Sequence, residues 1–554
     1  MTGRRRVAVV TGGGSGIGAA IAEEIARGGW FVVTVDPLVT VDGAERLPEP
    51  EETTAGRIVA AGGAARASSA SVTDADAVGE LFAELVDQHG GVDAVVNVAG
   101  ITRKSGFAEG TEADWVELLR VHLGGYLNVL GAALPVMEQA GHGRIVGVTS
   151  GAGWRATDAG GYGCAKRVVA SLTWQLGRLV TPGMAVNAIS PIAATRMVAA
   201  AVERARQEGR TSGSGGFSMF ATMPGPDALG PLGAHMVGDG FGWCTGRVLF
   251  AGGSEAAVVD EPRLMEVVRT DGVTSLDHVL DTVVPRAFAT AEAAQSSTGG
   301  SNPRFGSVFE EPPPADVVAP GVRSCLVVSD RPALVPAVTD ALAARSVACR
   351  TVAVTHGFTD ADEVLRAAVA TGGPVDAIVV VPAGGRPAEA SRHGWRRVLA
   401  EHDGIVEQIH ADAGWARAAA TYSSDAGRPL RLVTVTDATT HGGRNRAQAA
   451  AQLSRVSGAT TDGRVSAFAI SLEAAEHVAG RAVGGLVAHL VGHPDAGALA
   501  GSELAIGQGW LGLRSHPRVA GTVTYGGPAV PGWFDTALRD IAGTAEGSGL
   551  PVTS

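Results

Sequence analysis

The sequence predicts an α/β chain made of two tandem, doubly wound Rossmann-type parallel-sheet domains. Three observations carry this. Short Val/Ile-rich runs alternate with amphipathic stretches over residues 7 to 200, the rhythm of strands buried on both faces between covering helices. The rhythm restarts after a Gly/Ser/Pro-rich stretch at 290–320. The restarted copy also repeats the first: DAIVVVPAGG (376–385) echoes DAVVNVAG (93–100), and RLVTVTDATT (431–440) echoes RIVGVTSGAG (144–153).

The strands of the first half are expected at VAVV (7–10), WFVVTVD (30–36), GVDAVVNVAG (91–100), GRIVGVTS (143–150) and GMAVNAISP (183–191), with a further one in CTGRVLFAGG (244–253). Between them, IGAAIAEEIARGG places Ile17, Ile21 and Ile25 on one helical face. Residues 200–245 break the pattern. Their Gly, Ser, Met and Pro content reads either as a surface loop or as a lid over a substrate pocket at about 200–240, with Phe217, Met219, Phe220 and Met223 facing an apolar ligand. Strands of the second half are expected at 324–330, 347–354, 374–385, 428–437 and 463–471. The expected division is therefore 1–300, a linker at 301–320, and 321–554.

Composition narrows the function classes. At 554 residues the chain exceeds one ordinary core. It carries no apolar run long enough to span a bilayer, and Arg4, Arg5 and Arg6 lead into VAVV without a secretory core, so a cytoplasmic location is expected. Four scattered cysteines give neither a disulfide framework nor a metal-ligand spacing, so no metal is expected. A net charge of −12 without a basic cluster beyond the N-terminus argues against nucleic acid and membrane partners.

TGGGSGIG (11–18) follows the first strand and opens a helix. Gly12, Ser15, Gly16, Ile17 and Gly18 would form the turn that brings backbone close to a pyrophosphate at a helix N-terminus. Asp36 ends the second strand, 20 residues after Gly16. A carboxylate there accepts from adenosine ribose hydroxyls and repels a 2′-phosphate, which favours NAD(H) while leaving NADP(H) open. An Asp that merely caps the strand end is the alternative. Tyr162 precedes Lys166 by four residues in a chain with only two lysines among 44 Lys+Arg. On a helix the two share a face. An ammonium beside a phenol lowers its pKa and fits it for proton transfer to a carbonyl oxygen.

TGGGSGIG, NVAG (97–100), Ser150, YGCAK (162–166) and SPIAATRM (190–197) together resemble the short-chain dehydrogenase/reductase superfamily over residues 7 to about 270. The resemblance implies Tyr162 as general acid/base, Lys166 as its partner and ribose anchor, and Ser150 as hydrogen-bond partner of the substrate oxygen. It also implies Asn97 supporting the central strand and cofactor, and Thr195 at the nicotinamide carboxamide. This chain departs from the family pattern at Val98, at Ser71 in the adenine pocket, at Pro191-Ile192, and in a Ser150–Tyr162 spacing one residue short of the usual, which keeps Thr149 as an alternative hydroxyl. His122 stands where the family has a relay Asn. It reads either as a catalytic relay group or as a packed helix residue.

His122 in VHLGG, the long segment after Asp36 and the SPIAATRM run are similar to the (3R)-hydroxyacyl-CoA dehydrogenase-like subgroup, which implies a bulky or acyl-thioester-like substrate. The second half offers SDRPALVPAVTDALA (329–343) without glycine, Asp437 in place of Ser150, and neither Tyr nor Lys in HGGRNRAQAAAQ (441–452). It is expected to be a degenerate, non-catalytic copy. Its Ala-rich helices would pack on the first half as an internal pseudo-dimer, and two chains would form a homodimer. The leading function is a nicotinamide-dependent oxidoreductase acting on a secondary alcohol or ketone. A reductase tailoring or detoxifying a secondary metabolite, a non-catalytic nucleotide-binding scaffold, and an epimerase or dehydratase reusing bound NAD stay open.

Overall fold

The computed structural model describes residues 4–207, 223–295 and 321–546. Its strands in chain order are β1 (Val7–Thr11), β2 (Phe31–Val35), β3 (Ala64–Ser68), β4 (Ala94–Asn97), β5 (Gly143–Val148), β6 (Met184–Ile192), β7 (Val248–Gly252), β8 (Glu255–Asp260) and β9 (Leu264–Arg269). They continue as β10 (Ser324–Ser329), β11 (Ala348–Val352), β12 (Ala377–Val381), β13 (Leu430–Asp437), β14 (Val465–Leu472), β15 (Glu503–Gly507), β16 (Trp510–Arg514) and β17 (Arg518–Thr524).

The strands form two sheets. The first runs β17-β8-β7-β6-β5-β4-β1-β2-β3, and the second β11-β10-β12-β13-β14-β15-β16-β9. In both, the run from the nucleotide edge through β7 or β15 is parallel. Thus β10 answers β1, β12 answers β4, β13 answers β5, and among the described residues the second sheet has no counterpart of β3. These are the two doubly wound sheets expected, and each expected strand lies at its place. Central strands such as Ala94–Asn97 and Ala377–Val381 are buried throughout, as Val-rich parallel strands covered on both faces must be.

The division of the chain does not coincide with the division of the sheets. β9 leaves the first half and pairs antiparallel with β16, while β17 leaves the second half and pairs antiparallel with β8. The helices that follow are exchanged too. Leu276, Val279, Leu280 and Phe288 join the core of the second sheet, and Phe534 and Leu538 join that of the first. The expected boundary at 300–320 is thereby crossed in both directions. The reason is local: the hairpins β7–β8 and β15–β16 each end in a strand whose free edge is covered by a strand from the other half of the chain. Residues 290–295, expected to open the linker, are helical (Thr290–Gln295).

The halves meet along helices. Gly160–Gly177, which carries Tyr162 and Lys166, packs against His441–Ser454, its counterpart after β13. One continuous apolar cluster runs through both halves and includes Trp115, Leu172, Trp415 and Leu453. Arg167, fully buried on that helix, donates to Gln448 Oε1 at 2.8 Å and to Glu503 Oε2 at 3.1 Å across the junction. Small Ala and Gly side chains on the facing helices let the backbones approach this closely. The internal pairing expected from the Ala-rich faces is therefore the arrangement of the chain.

The long segment after Asp36 (37–63) holds the helix Thr54–Ala60, and strand β3 follows it. The expected lid at 200–240 contains the end of a helix, Arg196–Gln207, and a second one, Gly230–Val237. Phe217, Met219 and Phe220 lie outside the described residues.

Candidate active site

A cavity of about 600 Å³ opens at the C-terminal ends of the first sheet's strands, where ligands bind in open α/β sheets. Gly12, Ser15, Gly16, Ile17, Asp36, Ser71, His122, Thr149, Ser150, Tyr162, Lys166 and Thr195 line it, together with Met223. Gly18 and Asn97 stand behind its wall. Asn97 is buried and accepts from the Thr11 hydroxyl at 2.8 Å, so it ties β4 to β1 rather than facing the cavity.

At one end the glycine turn is shaped for close approach. Gly12 has φ +64°, and a Cβ on Gly18 would stand 2.2 Å from the Gly12 carbonyl oxygen. Turn and helix Gly16–Arg27 can touch only without side chains there. Ser15, the first cap of that helix, spends no side-chain bond on it, which leaves the helix N-terminus directed to the cavity. Asp36 accepts from Gly14 N at 3.1 Å and Leu38 N at 2.9 Å, so it caps the strand end and lines the cavity at once. These residues fit a dinucleotide.

At the other end stand the proton-transfer candidates. Thr149 Oγ1 donates to the Lys166 carbonyl at 2.6 Å, which commits it to the helix and leaves Ser150 as the available hydroxyl. Ser150 and Tyr162 line the same cavity, and the Ser150 hydroxyl favours the phenolate. Lys166 Nζ donates to the Val148 carbonyl at 2.6 Å and lies 5.7 Å from the centroid of the Tyr162 ring. Burial pushes the Lys166 pKa down to about 7. The phenol is held above its ordinary value by burial, with the Ser150 hydroxyl pulling the other way. In the chain itself enclosure is the larger effect, and the ammonium is turned to Val148.

His122 sits in a π-helical turn, Arg120–Gly124, with its ring edge-on to Tyr162 at 4.9 Å. Its Nε2 lies 2.8 Å from the Ile101 carbonyl, and burial drives its pKa down to about 3. It is a neutral imidazole at any working pH. The same holds for the buried His402 and His489, each lowered to about 4. The unfolded chain takes up protons at these sites below its ordinary pKa of about 6.5, while the folded chain does not until much lower pH. Stability is therefore fully present above about pH 6.5 and falls toward pH 4, by about 1.4 kcal/mol per unit for each histidine. In denaturant titrations at a series of pH values, His122→Asn is expected to remove one such share of the slope; an unchanged slope would place the acid sensitivity elsewhere.

The second half fails the same test. Arg331, in the turn after β10, pairs with Asp437 at 3.1 Å and also with Glu476. Asp437 occupies the position of Ser150, and Arg331 is only 7% exposed. A buried ion pair thus bridges the glycine-free turn and the strand end where a nucleotide would lie, and two carboxylates would repel its phosphates. The missing glycine was visible in the sequence; the charge that replaces it was not read.

The model for short chain dehydrogenase matches residues 6–206. The short-chain reductase protein NovJ of Streptomyces niveus is 37% identical over 200 residues, 36% of this chain and 73% of that protein. The chain belongs to the short-chain dehydrogenase family. An acetoacetyl-CoA reductase of Allochromatium vinosum is 30% identical over 246 residues, 44% of this dehydrogenase and 96% of that protein. The crystal structure of the N-domain of a bacterial malonyl-CoA reductase with NADP has the same fold over 88% of this dehydrogenase and 95% of that chain, at TM-score 0.66 and 15% identity. The two-sheet arrangement is thus shared by another chain along nearly its whole length. As a member of this family, the dehydrogenase is a nicotinamide-dependent oxidoreductase. No helix among the described residues is long and apolar enough to cross a membrane.

Proposed function

We propose that this dehydrogenase interconverts a secondary alcohol and a ketone with NAD(H), at one site per chain, on a bulky or acyl-thioester-like substrate. The observation that carries the reading is the Ser150–Tyr162–Lys166 cluster in the wall of a cavity whose other end fits a dinucleotide. When bound, the nicotinamide gives or accepts the hydride. Tyr162 holds the proton that the carbonyl oxygen takes up, or accepts it from the alcohol. Ser150 donates to the same oxygen and orients it toward the phenol. Lys166, buried and poised near neutrality, is placed to turn from Val148 toward a ribose and raise the acidity of Tyr162. His122 fixes the segment beside Gly100 through Ile101, and its Nδ1 takes the relay role that an Asn plays in the family. Thr195 and the turn residues Gly12, Ser15, Gly16 and Ile17 hold the nucleotide.

Asp36 supports NAD(H). Arg46, exposed on the same wall, is the residue that would carry the opposite preference. The acyl-thioester class is supported by the resemblance of His122 and its surroundings to hydroxyacyl-CoA dehydrogenases and by the acetoacetyl-CoA reductase among its relatives. A cytoplasmic homodimer is the state we propose.

The test is a titration with NADH and NADPH followed by nicotinamide fluorescence, alongside a panel of small ketones and 3-oxoacyl thioesters. One equivalent of NADH per chain with turnover of a panel member is expected. Two equivalents would mean that the Arg331–Asp437 pair does not close the second half. Preference for NADPH would mean that Arg46, not Asp36, reads the ribose. Binding without any turnover would favour a nucleotide-binding scaffold, and NAD retained through purification an epimerase or dehydratase.

A further inference from the structure

The non-catalytic half reaches the catalytic site through two side chains at the end of the helix His441–Ser454. Gln452, buried to 3% exposure, donates its amide to the Ala152 carbonyl at 3.0 Å and to the Arg155 carbonyl at 2.7 Å. Arg455, the next residue but two, donates Nη1 to the Trp154 carbonyl at 3.0 Å. Three carbonyls of one short turn are therefore held by the other half of the chain. That turn connects Ser150 to the helix of Tyr162, and its residues Gly151, Ala152, Arg155 and Thr157 line the cavity.

The turn is coupled to the reacting groups by one peptide unit further. The Ala152 N–H donates to Ser150 Oγ at 3.3 Å while its carbonyl accepts from Gln452. Ser150 and Tyr162 line the same cavity. A chain of hydrogen bonds thus runs from Gln452 through Ala152 to Ser150, on the cavity wall it shares with the phenol. We propose that Gln452 and Arg455 are positioning residues for the first half's catalytic turn: the degenerate half fixes Ser150 and the substrate wall 151–157 in the conformation turnover requires. This rests on the oxidoreductase reading above. It also gives the second half a role in the reaction beyond covering an apolar face. Without the two donors, these three carbonyls lose the bonds that tie the turn to the other half, the Arg155 carbonyl keeping its bond from Thr157 N–H at 2.8 Å, and the turn is freer to open to water. Shifts of that size at a reacting centre are costly to rate.

The test uses the full-length protein with four substitutions. Gln452→Glu replaces the donor by an acceptor facing two carbonyls, and Arg455→Met removes the guanidinium while keeping bulk. Arg455→Lys restores a donor. Gln175→Ala cuts a different buried bond across the halves, that of Gln175 to Asn445 at 2.8 Å, and serves as control. Two readouts are taken: steady-state reduction of the best panel substrate, and amide hydrogen exchange over residues 150–157. Gln452→Glu and Arg455→Met are expected to lower kcat ~10-fold or more, to speed exchange in 150–157, and to leave NADH affinity unchanged. Arg455→Lys recovers most of the rate, and Gln175→Ala leaves exchange in 150–157 as it was. Parental kcat in both donor variants would overturn the proposal, as would equal loosening of 150–157 in the control. If the unaltered protein reduces no carbonyl, the function reading has failed by itself. Exchange then decides alone: faster exchange in the donor variants supports the positioning role, and unchanged exchange overturns it.

Discussion

Tyr162→Phe is expected to reduce turnover by about 10²–10⁴-fold while nucleotide binding persists. The substitution removes one oxygen and keeps the ring that stands edge-on to His122 and beneath Lys166. Packing and the dinucleotide end are untouched, so lost rate reports lost proton transfer. No neighbouring group replaces it. His122 is neutral and its Nε2 is engaged by Ile101, so it offers no proton of suitable acidity. Lys166 is bound to the Val148 carbonyl. Ser150 is too weak an acid to finish the transfer. Stopped-flow measurement of nicotinamide oxidation, with fluorescence titration on the same preparation, checks both halves of the expectation. Turnover within a few-fold of the parent would mean that Tyr162 is structural and that the proton comes from elsewhere in the cavity.

The catalytic end of this site was legible because its chemistry is local. Ser150, Tyr162 and Lys166 lie on one strand end and one helix, and the glycine turn follows directly from β1, so spacing alone puts them on one cavity. What stayed hidden depends on partners far away in sequence. Strand β3, AARAS, has no Val or Ile and sits at a half-exposed edge, so no periodicity marks it. β9 is not among the expected strands at all, and its exposed face and its pairing with β16 are decided more than 240 residues later. Gln452 looks like any helical glutamine until Ala152 and Arg155 are brought to it. Asn97, expected to support the central strand and the cofactor, does the first through its bond from Thr11, a partner 86 residues away in sequence. Arg331 was part of a stretch read only for the glycine it lacks.

Ending the chain near residue 315 is expected to give an insoluble or inactive first half. The loss falls on two sides of the same sheet. On one edge β8 loses β17, and Val523, Phe534 and Leu538 leave the core they share with Ile21, Val258 and Met236. On the other side the helix of Tyr162 and Lys166 loses its partner: Cys164 loses Ala449, Gln175 loses Asn445, and Arg167 loses Gln448 and Glu503, while the shared apolar cluster loses Trp415 and Leu453. Each large apolar side chain so exposed forfeits about 1.5–3 kcal/mol, and a handful of them matches the roughly 5–15 kcal/mol that holds a domain folded. The truncated chain also keeps β9 and the helices after it, which have lost the sheet they belong to and offer an open strand edge for aggregation. Co-expressing residues 321–554 from a second gene separates the two consequences. Recovery of soluble, active complex would show that the exchanged strands and facing helices suffice without the covalent link. A soluble first half with parental activity on its own would show that the second half is dispensable, and that its side chains at the turn after Ser150 do no work.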